Sequence, residues 1–211
     1  MFDKHLRPYI DPPLNRAGAA LARLGITADA ITALGLLLGL AAAVSISVSW
    51  MALALVLILL SRIADGLDGA VARATRKTDF GGYFDILADF LFYGAVPLGF
   101  ILADPARNGV AGGFLLLSFY VNGASFLGYA VLAERHGEET EERGSKSLYF
   151  TGGLLEGTET IAFFVLLCLM PAYFPLLAIL FGIGCFITAG ARLMLARQRF
   201  SDTGPESGLD R

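Results

Sequence analysis

The sequence predicts an all-α, polytopic membrane protein, with six transmembrane helices preceded by an amino-terminal amphipathic helix at the membrane interface. Three observations predict it. Of 211 residues, 55% are hydrophobic and 17% charged, with a mean hydropathy of +0.64, far from an ordinary soluble domain. Apolar windows of roughly 20 residues, the length that crosses a hydrocarbon core of about 30 Å, recur along the chain. Lys and Arg fall almost wholly on one side of the topology those windows define.

Residues 1–27 read as a cytoplasmic interfacial segment. Leu14, Leu21 and Leu24 interleave with Arg16 and Arg23, while Pro8, Pro12 and Pro13 interrupt the earlier part. A surface helix is therefore expected from about Leu14 to Leu24. Phe2, Leu6, Tyr9 and Ile10 alternate with Lys4 and Arg7 rather than forming a continuous apolar stretch, so no cleavable signal is expected.

A membrane catalytic domain follows over 28–200, with spans near 31–48, 51–72, 82–103, 110–133, 155–174 and 175–197. Cys168 and Cys185 lie inside apolar runs and read as core residues. The Phe-rich stretch from Phe80 to Phe100 reads as lipid-facing or helix-packing, and His5 and His136 as solvated. Glu138, Glu139, Glu141 and Glu142 mark a polar loop after span four, and residues 201–211, with Gly204, Pro205 and Gly208, read as a flexible cytoplasmic tail. With both termini cytoplasmic, all 16 Lys and Arg residues except Arg107 lie on the inner side. A net charge of −3 offers no footprint for nucleic acid.

The residues that carry chemistry are aspartates. Asp65 and Asp68 stand three apart near the end of span two, and Asp85 and Asp89 four apart near the start of span three. At those spacings each pair shares a helix face. Rising 1.5 Å per residue from Met51, Asp65 lies about 21 Å along its span and roughly 9 Å from the inner boundary; Asp85 and Asp89 lie roughly 5 and 10 Å below it. The two pairs share one depth. Gly69, Gly81 and Gly82 remove bulk where these two helices are expected to approach. Unpaired carboxylates there would cost about 10 kcal/mol together, so they are expected to face inward around divalent cations. Hard oxygen ligands suit Mg²⁺ better than Zn²⁺ or a soft metal. The bland alternative is a salt-bridge network with Arg62, Arg73, Arg76 and Lys77.

Written out, the stretch Asp65-Gly66-Leu67-Asp68-Gly69-Ala70-Val71-Ala72-Arg73, seven further residues, and then Gly81, Asp85 and Asp89 resembles the CDP-alcohol phosphatidyltransferase signature at every position. Weaker resemblance covers most of the chain, including Gly25 to Thr32 at the head of span one, where Ala28-Asp29 stand in place of the Pro-Asn of many members. The chain looks most like short bacterial inner-membrane members. The resemblance implies transfer of a phosphatidyl group from a CDP-linked lipid, usually CDP-diacylglycerol, to an alcohol acceptor with release of CMP, in a homodimer whose site faces the cytoplasm. It implies that Asp65, Asp68 and Asp85 hold two Mg²⁺ or Mn²⁺ ions, with Asp89 beside them as base. Nucleotide contacts are implied for Asp65, Gly66, Asp68, Gly69, Ala72, Arg73 and Gly81.

For the acceptor, Lys146 and Arg192 are the candidate phosphate cations, with Glu156 and Glu159 on one face at the start of span five. Ordinary interfacial snorkelling and helix amino-terminal placement are their bland alternatives. Two other functions fit aspartate-lined spans: an intramembrane prenyltransferase of the UbiA kind and a cation transporter. The Asp-Gly-x-x-Ala-Arg continuation speaks against the first, and the apolar outer halves of the spans, such as Ala52 to Leu60, against the second.

Overall fold

The computed structural model describes residues 3–136 and 157–201, and the regular elements among them are all helical. They are α1 (Asp3–Arg23), α2 (Ala28–Ser47), α3 (Met51–Ala74), α4 (Asp79–Ala103), α5 (Pro105–Arg135), α6 (Gly157–Leu169), a 3₁₀ turn (Pro171–Tyr173) and α7 (Phe174–Phe200). Four stretches are long and apolar enough to cross a bilayer: Ala28–Ser47, Asp79–Ala103, Pro105–Arg135 and Pro171–Phe200. The protein is therefore a helical, polytopic membrane protein. At 24 residues α3 is about 36 Å long, but Arg62, Asp65, Asp68 and Arg73 lower its apolarity; α6 is a shorter apolar helix of 13 residues.

Helix ends follow local chemistry. Leaving α1, Gly25 adopts φ +79°, and the Ile26 and Gly25 N–H groups donate to the Leu21 and Ala22 carbonyls, a Schellman close. Thr27 then caps α2 by accepting from the Ala30 N–H, Thr78 caps α4 by accepting from Gly81, and Asp104 caps α5 by accepting from Arg107. The same close ends α2, but Ser49 occupies the left-handed position at φ 62°.

Two boundaries depart from expectation. Helix α1 extends to Asp3 through Pro8, Pro12 and Pro13 instead of starting near Leu14. Each proline removes a donor, a penalty for an isolated helix; α1 is instead packed along α3. The fifth apolar run stops at Leu169 rather than continuing to residue 174. Pro171 lacks an N–H and disfavours helical backbone at Met170, which sits at φ −131°, ψ 55°, so the chain turns there before α7.

In the bundle, α2 packs against both α3 and α4, α5 packs against α7 and α4, and α6 leans on α3. The expected glycine contact between α3 and α4 is not made. A Cβ on Gly82 would meet open space, one on Gly69 only Arg73 of the same helix, and one on Gly81 Thr78 and Asp29 of α2. With α2 as their common neighbour, the two aspartate-bearing helices meet chiefly through side chains.

Toward the other end of the bundle the core is aromatic. Phe92 and Phe164 meet edge to face at 5.6 Å, Phe163 stacks on Phe181 at 4.0 Å, and Phe100 on Phe174 at 4.7 Å. The Phe-rich part of α4 thus serves two purposes: Phe92 and Phe100 are buried in this core, while Phe80 and Phe90 are exposed. Cys168 and Cys185 are buried, as their apolar settings suggest.

Candidate functional site

The aspartate cluster is built by α3 and α4, with α2 as its floor. Spacings of three and four residues turn each pair to one side of its helix, and the shared contact with α2 brings the two sides together. Carboxylate oxygens of Asp65, Asp68 and Asp85 all lie within 4.8 Å of one another. Asp68 is the most enclosed, at 6% exposure. Its Oδ2 accepts a 2.6 Å hydrogen bond from the Thr32 hydroxyl of α2, which also lies 3.1 Å from the Ala28 carbonyl of its own helix.

Asp89 is placed differently. Its Oδ1 accepts from Arg62 Nη1 at 2.7 Å, and the same nitrogen lies 3.4 Å from Asp65 Oδ1. Arg62 Nη2 donates to the Ser61 hydroxyl at 3.2 Å, and the guanidinium carbon sits 4.1 Å over the Phe92 ring. The salt-bridge alternative thus describes Asp89 most closely and touches Asp65 at the longer distance, while oxygens of Asp65, Asp68 and Asp85 still gather within 4.8 Å of one another. Oxygen atoms so close repel unless a cation lies among them, and a hard, all-carboxylate donor set is what Mg²⁺ or Mn²⁺ takes. The residues fit a divalent metal ion.

Beside this cluster, α1 lies on the signature segment of α3. A Cβ on Gly66 would come within 2.9 Å of Leu14 Cδ1, and one on Gly18 within 2.6 Å of Ala70 Cβ and 2.8 Å of its carbonyl carbon. At Gly18, which faces Ala70 and backbone, only hydrogen fits if the helices are to touch this closely, whereas at Gly66 the Leu14 side chain would have to turn aside. Gly66 therefore has a packing partner in Leu14, whatever ligand approaches it. Arg73 is exposed, and its Nε and Nη2 donate to Asn15 Oδ1 of α1 at 3.2 and 2.9 Å, which fixes the plane of its fork. Ala72 is half-buried, and Gly81 lies at the first turn of α4 next to Asp29.

Of the acceptor candidates, Arg192 is buried at 6% exposure between α5 and α7. Its Nη1 donates to Ser125 Oγ at 2.6 Å and to Asn122 Oδ1 and the Asn122 carbonyl at 3.1 and 3.2 Å, with the guanidinium 5.7 Å from the Phe126 ring centre. Glu159 lies in the first turn of α6 beside an apolar groove shared with α7. Lys146 and Glu156 fall outside the described residues, as do the acidic stretch before Lys146 and the tail beyond Ser201.

Sequence reasoning missed the partners that hold these groups. Thr32 and the Asn122–Ser125 pair were visible as polar residues inside apolar helices, Thr32 four positions into α2 and the pair three apart on α5. Such residues in a membrane span mark an internal contact by default. Asn15 carried no comparable signal, because it lies in a segment already rich in polar residues.

Comparison with known proteins sets this geometry in context. The family model for CDP-alcohol phosphatidyltransferase matches residues 25–191. The inner membrane protein YnjF of Escherichia coli strain K12 is 48% identical over 193 residues, 92% of this chain and 94% of that protein. The archaetidylinositol phosphate synthase of Pyrococcus horikoshii is 36% identical over 118 residues, covering 56% of this chain and 63% of that one. Among solved structures, the Mycobacterium tuberculosis phosphatidylinositol phosphate synthase PgsA1 with CDP-DAG bound superposes with a TM-score of 0.65 at 22% identity, over 94% of this chain and 97% of that one. The same synthase in complex with manganese and citrate gives 0.64 at 22% identity, over 94% of this chain and 92% of that one. At that identity the likeness is one of fold.

Proposed function

The chain belongs to the CDP-alcohol phosphatidyltransferase family, and from that membership we propose that it transfers a phosphatidyl group from CDP-diacylglycerol to an alcohol, releasing CMP, at a divalent metal centre. The observation that carries the reading is the convergence of Asp65, Asp68 and Asp85 within 4.8 Å, on two helices whose sequences match the family signature. Family membership replaces the prenyltransferase and transporter alternatives. Relatives support the donor: a synthase of the same fold has been solved with CDP-DAG bound. They also support the metal, since that synthase takes up manganese.

Asp65, Asp68 and Asp85 are the residues that would hold Mg²⁺ or Mn²⁺, with Asp89 at the edge of the site. Held there, a divalent cation would supply positive charge against a diphosphate and its leaving oxygen. The chain's own residues do the rest. Arg73, with its fork oriented by Asn15, presents two parallel donors to a phosphate oxygen. Asp89, one helical turn beyond Asp85, is positioned to accept the proton of the acceptor hydroxyl as that oxygen attacks the lipid-side phosphorus. Thr32 holds Asp68 in the orientation the centre needs. Gly69 carries no side chain where a nucleotide would approach, and a Cβ there would meet only Arg73, while Gly81 packs its bare face on Thr78 and Asp29. Arg192, buried and held by Asn122 and Ser125, is the cation we assign to a phosphate on the acceptor.

In this reading α3 and α6 complete six spans, both termini are cytoplasmic, the site faces the cytoplasm, and the host membrane is a bacterial inner membrane, as for the YnjF relative. Residues 1–27, 28–200 and 201–211 act as interfacial segment, catalytic domain and tail, and the working form is a homodimer. The test is to incubate purified protein with CDP-diacylglycerol, Mg²⁺ and a panel of alcohols that includes phosphorylated polyols, measuring CMP and weighing the lipid product by mass. CMP release that depends on both Mg²⁺ and one acceptor is expected. No CMP with any acceptor, under conditions where the protein binds CDP-diacylglycerol, refutes the proposal.

A further inference from the structure

Arg62 is the one cation in direct contact with the aspartate cluster among the ion pairs of the described residues, and it is held from several sides. Its side chain is 11% exposed. Beneath the guanidinium, 4.1 Å away, lies the Phe92 ring, itself fully buried. Nη2 donates to Ser61 Oγ, and that hydroxyl donates in turn to the Gly35 carbonyl of α2 at 2.7 Å. A snorkelling arginine would extend to the interface and keep its head in water. This one is stacked, hydrogen-bonded and aimed inward, so its position is built.

The result is a division of the four aspartates. Asp89 stands four residues after Asp85, the spacing that would carry it into the cluster, yet the oxygens that converge within 4.8 Å belong to Asp65, Asp68 and Asp85. Asp89 Oδ1 is instead held 2.7 Å from Arg62 Nη1. A metal ion that uses Asp89 must displace this guanidinium or sit beside its positive charge. We propose that Arg62 competes with a divalent cation for Asp89, so that the centre holds one cation firmly and a second only against the arginine. Arg62 is in these terms a positioning residue for the centre, one that sets how many metal ions are bound at a given concentration.

The inference rests on the reading that the aspartates hold divalent cations, and the experiment separates the two. Mn²⁺ is titrated into the full chain in detergent, and bound and free ion are followed by electron paramagnetic resonance. The wild-type protein is expected to take up one Mn²⁺ tightly and a second weakly. Arg62→Gln should tighten the second by about tenfold or more, equivalent to about 1.4 kcal/mol, and change the first by less than about threefold. Arg62→Lys, which keeps the charge, should leave the second weak. In an Asp89→Asn background the Arg62→Gln gain should disappear, because the competition is for that carboxylate and is not a general field effect. A second ion bound no more tightly in Arg62→Gln, or a gain that persists without Asp89, overturns the proposal alone. No Mn²⁺ uptake by the wild type overturns the metal centre itself. Arg62→Met, which keeps the stem over Phe92, supplies the same reading if the Gln variant does not fold.

Discussion

Replacing Thr32 by Val removes one hydroxyl and almost no volume, so it isolates the hydrogen bond that joins α2 to Asp68, a carboxylate proposed as a metal ligand. That bond is 2.6 Å long, and its two residues are 7% and 6% exposed, so water does not readily replace the lost donor. A hydrogen bond to a charged group contributes about 1.5–3 kcal/mol. Loss of a residue that orients a metal ligand lowers metal affinity roughly 10–100-fold, or about 1.4–2.7 kcal/mol. The two estimates overlap, which is expected if the bond acts by fixing the carboxylate. The Mg²⁺ concentration for half-maximal CMP release should therefore rise about 10–100-fold in Thr32→Val, with most of the maximal rate recovered at saturating Mg²⁺. Thr32→Ser, which restores the donor, should return to near the wild-type value. A Val variant with wild-type Mg²⁺ dependence, or a Ser variant as impaired as Val, would refute the positioning role.

Other consequences can be measured independently. Asp89→Asn should abolish transfer while leaving CDP-diacylglycerol binding largely intact, as followed by CMP release and by lipid retention on purified protein; normal turnover removes the base role. Gly18→Ala places a methyl group 2.6 Å from Ala70 Cβ and 2.8 Å from backbone, so α1 must shift off α3. A loss of about 1–3 kcal/mol, read by unfolding in detergent, is expected, and no loss would mean that α1 is loosely seated. Ser49→Gly relieves a left-handed backbone at φ 62° and should stabilise the protein by about 0.5–1 kcal/mol in the same measurement. A destabilised Ser49→Gly would show that the serine side chain outweighs its strain.

Much of the candidate site is legible along the chain because helical periodicity is local. The spacing of Asp65 to Asp68 and of Asp85 to Asp89 gives the face, and counting 1.5 Å per residue along each helix brings the two pairs to one level, where three of the four carboxylates meet. Helix ends at Thr27, Thr78 and Asp104 were set by short polar side chains accepting from the first turn. The run through Pro8, Pro12 and Pro13 in α1 is not legible in the sequence, because proline penalties refer to an isolated helix and this helix is held by its neighbour. The end of α6 is hidden for a different reason: hydropathy does not register a break when the residues on both sides of Pro171 are apolar.

By itself, then, the sequence determined an all-helical membrane protein, a signature of four aspartates on two helices, and the reaction class its family performs. Which helices are neighbours was decided by tertiary structure. In a span that is apolar all round, no stripe marks the packed face, and association is selected by small residues and polar contacts between distant segments. That is why α2, rather than a direct seam between α3 and α4, unites the two aspartate helices and supplies Thr32. It is also why Asn15 comes to hold Arg73, and why Arg62 finds Asp89 27 positions away. Each of these pairings depends on where a second helix lies, and no spacing within a single helix encodes that.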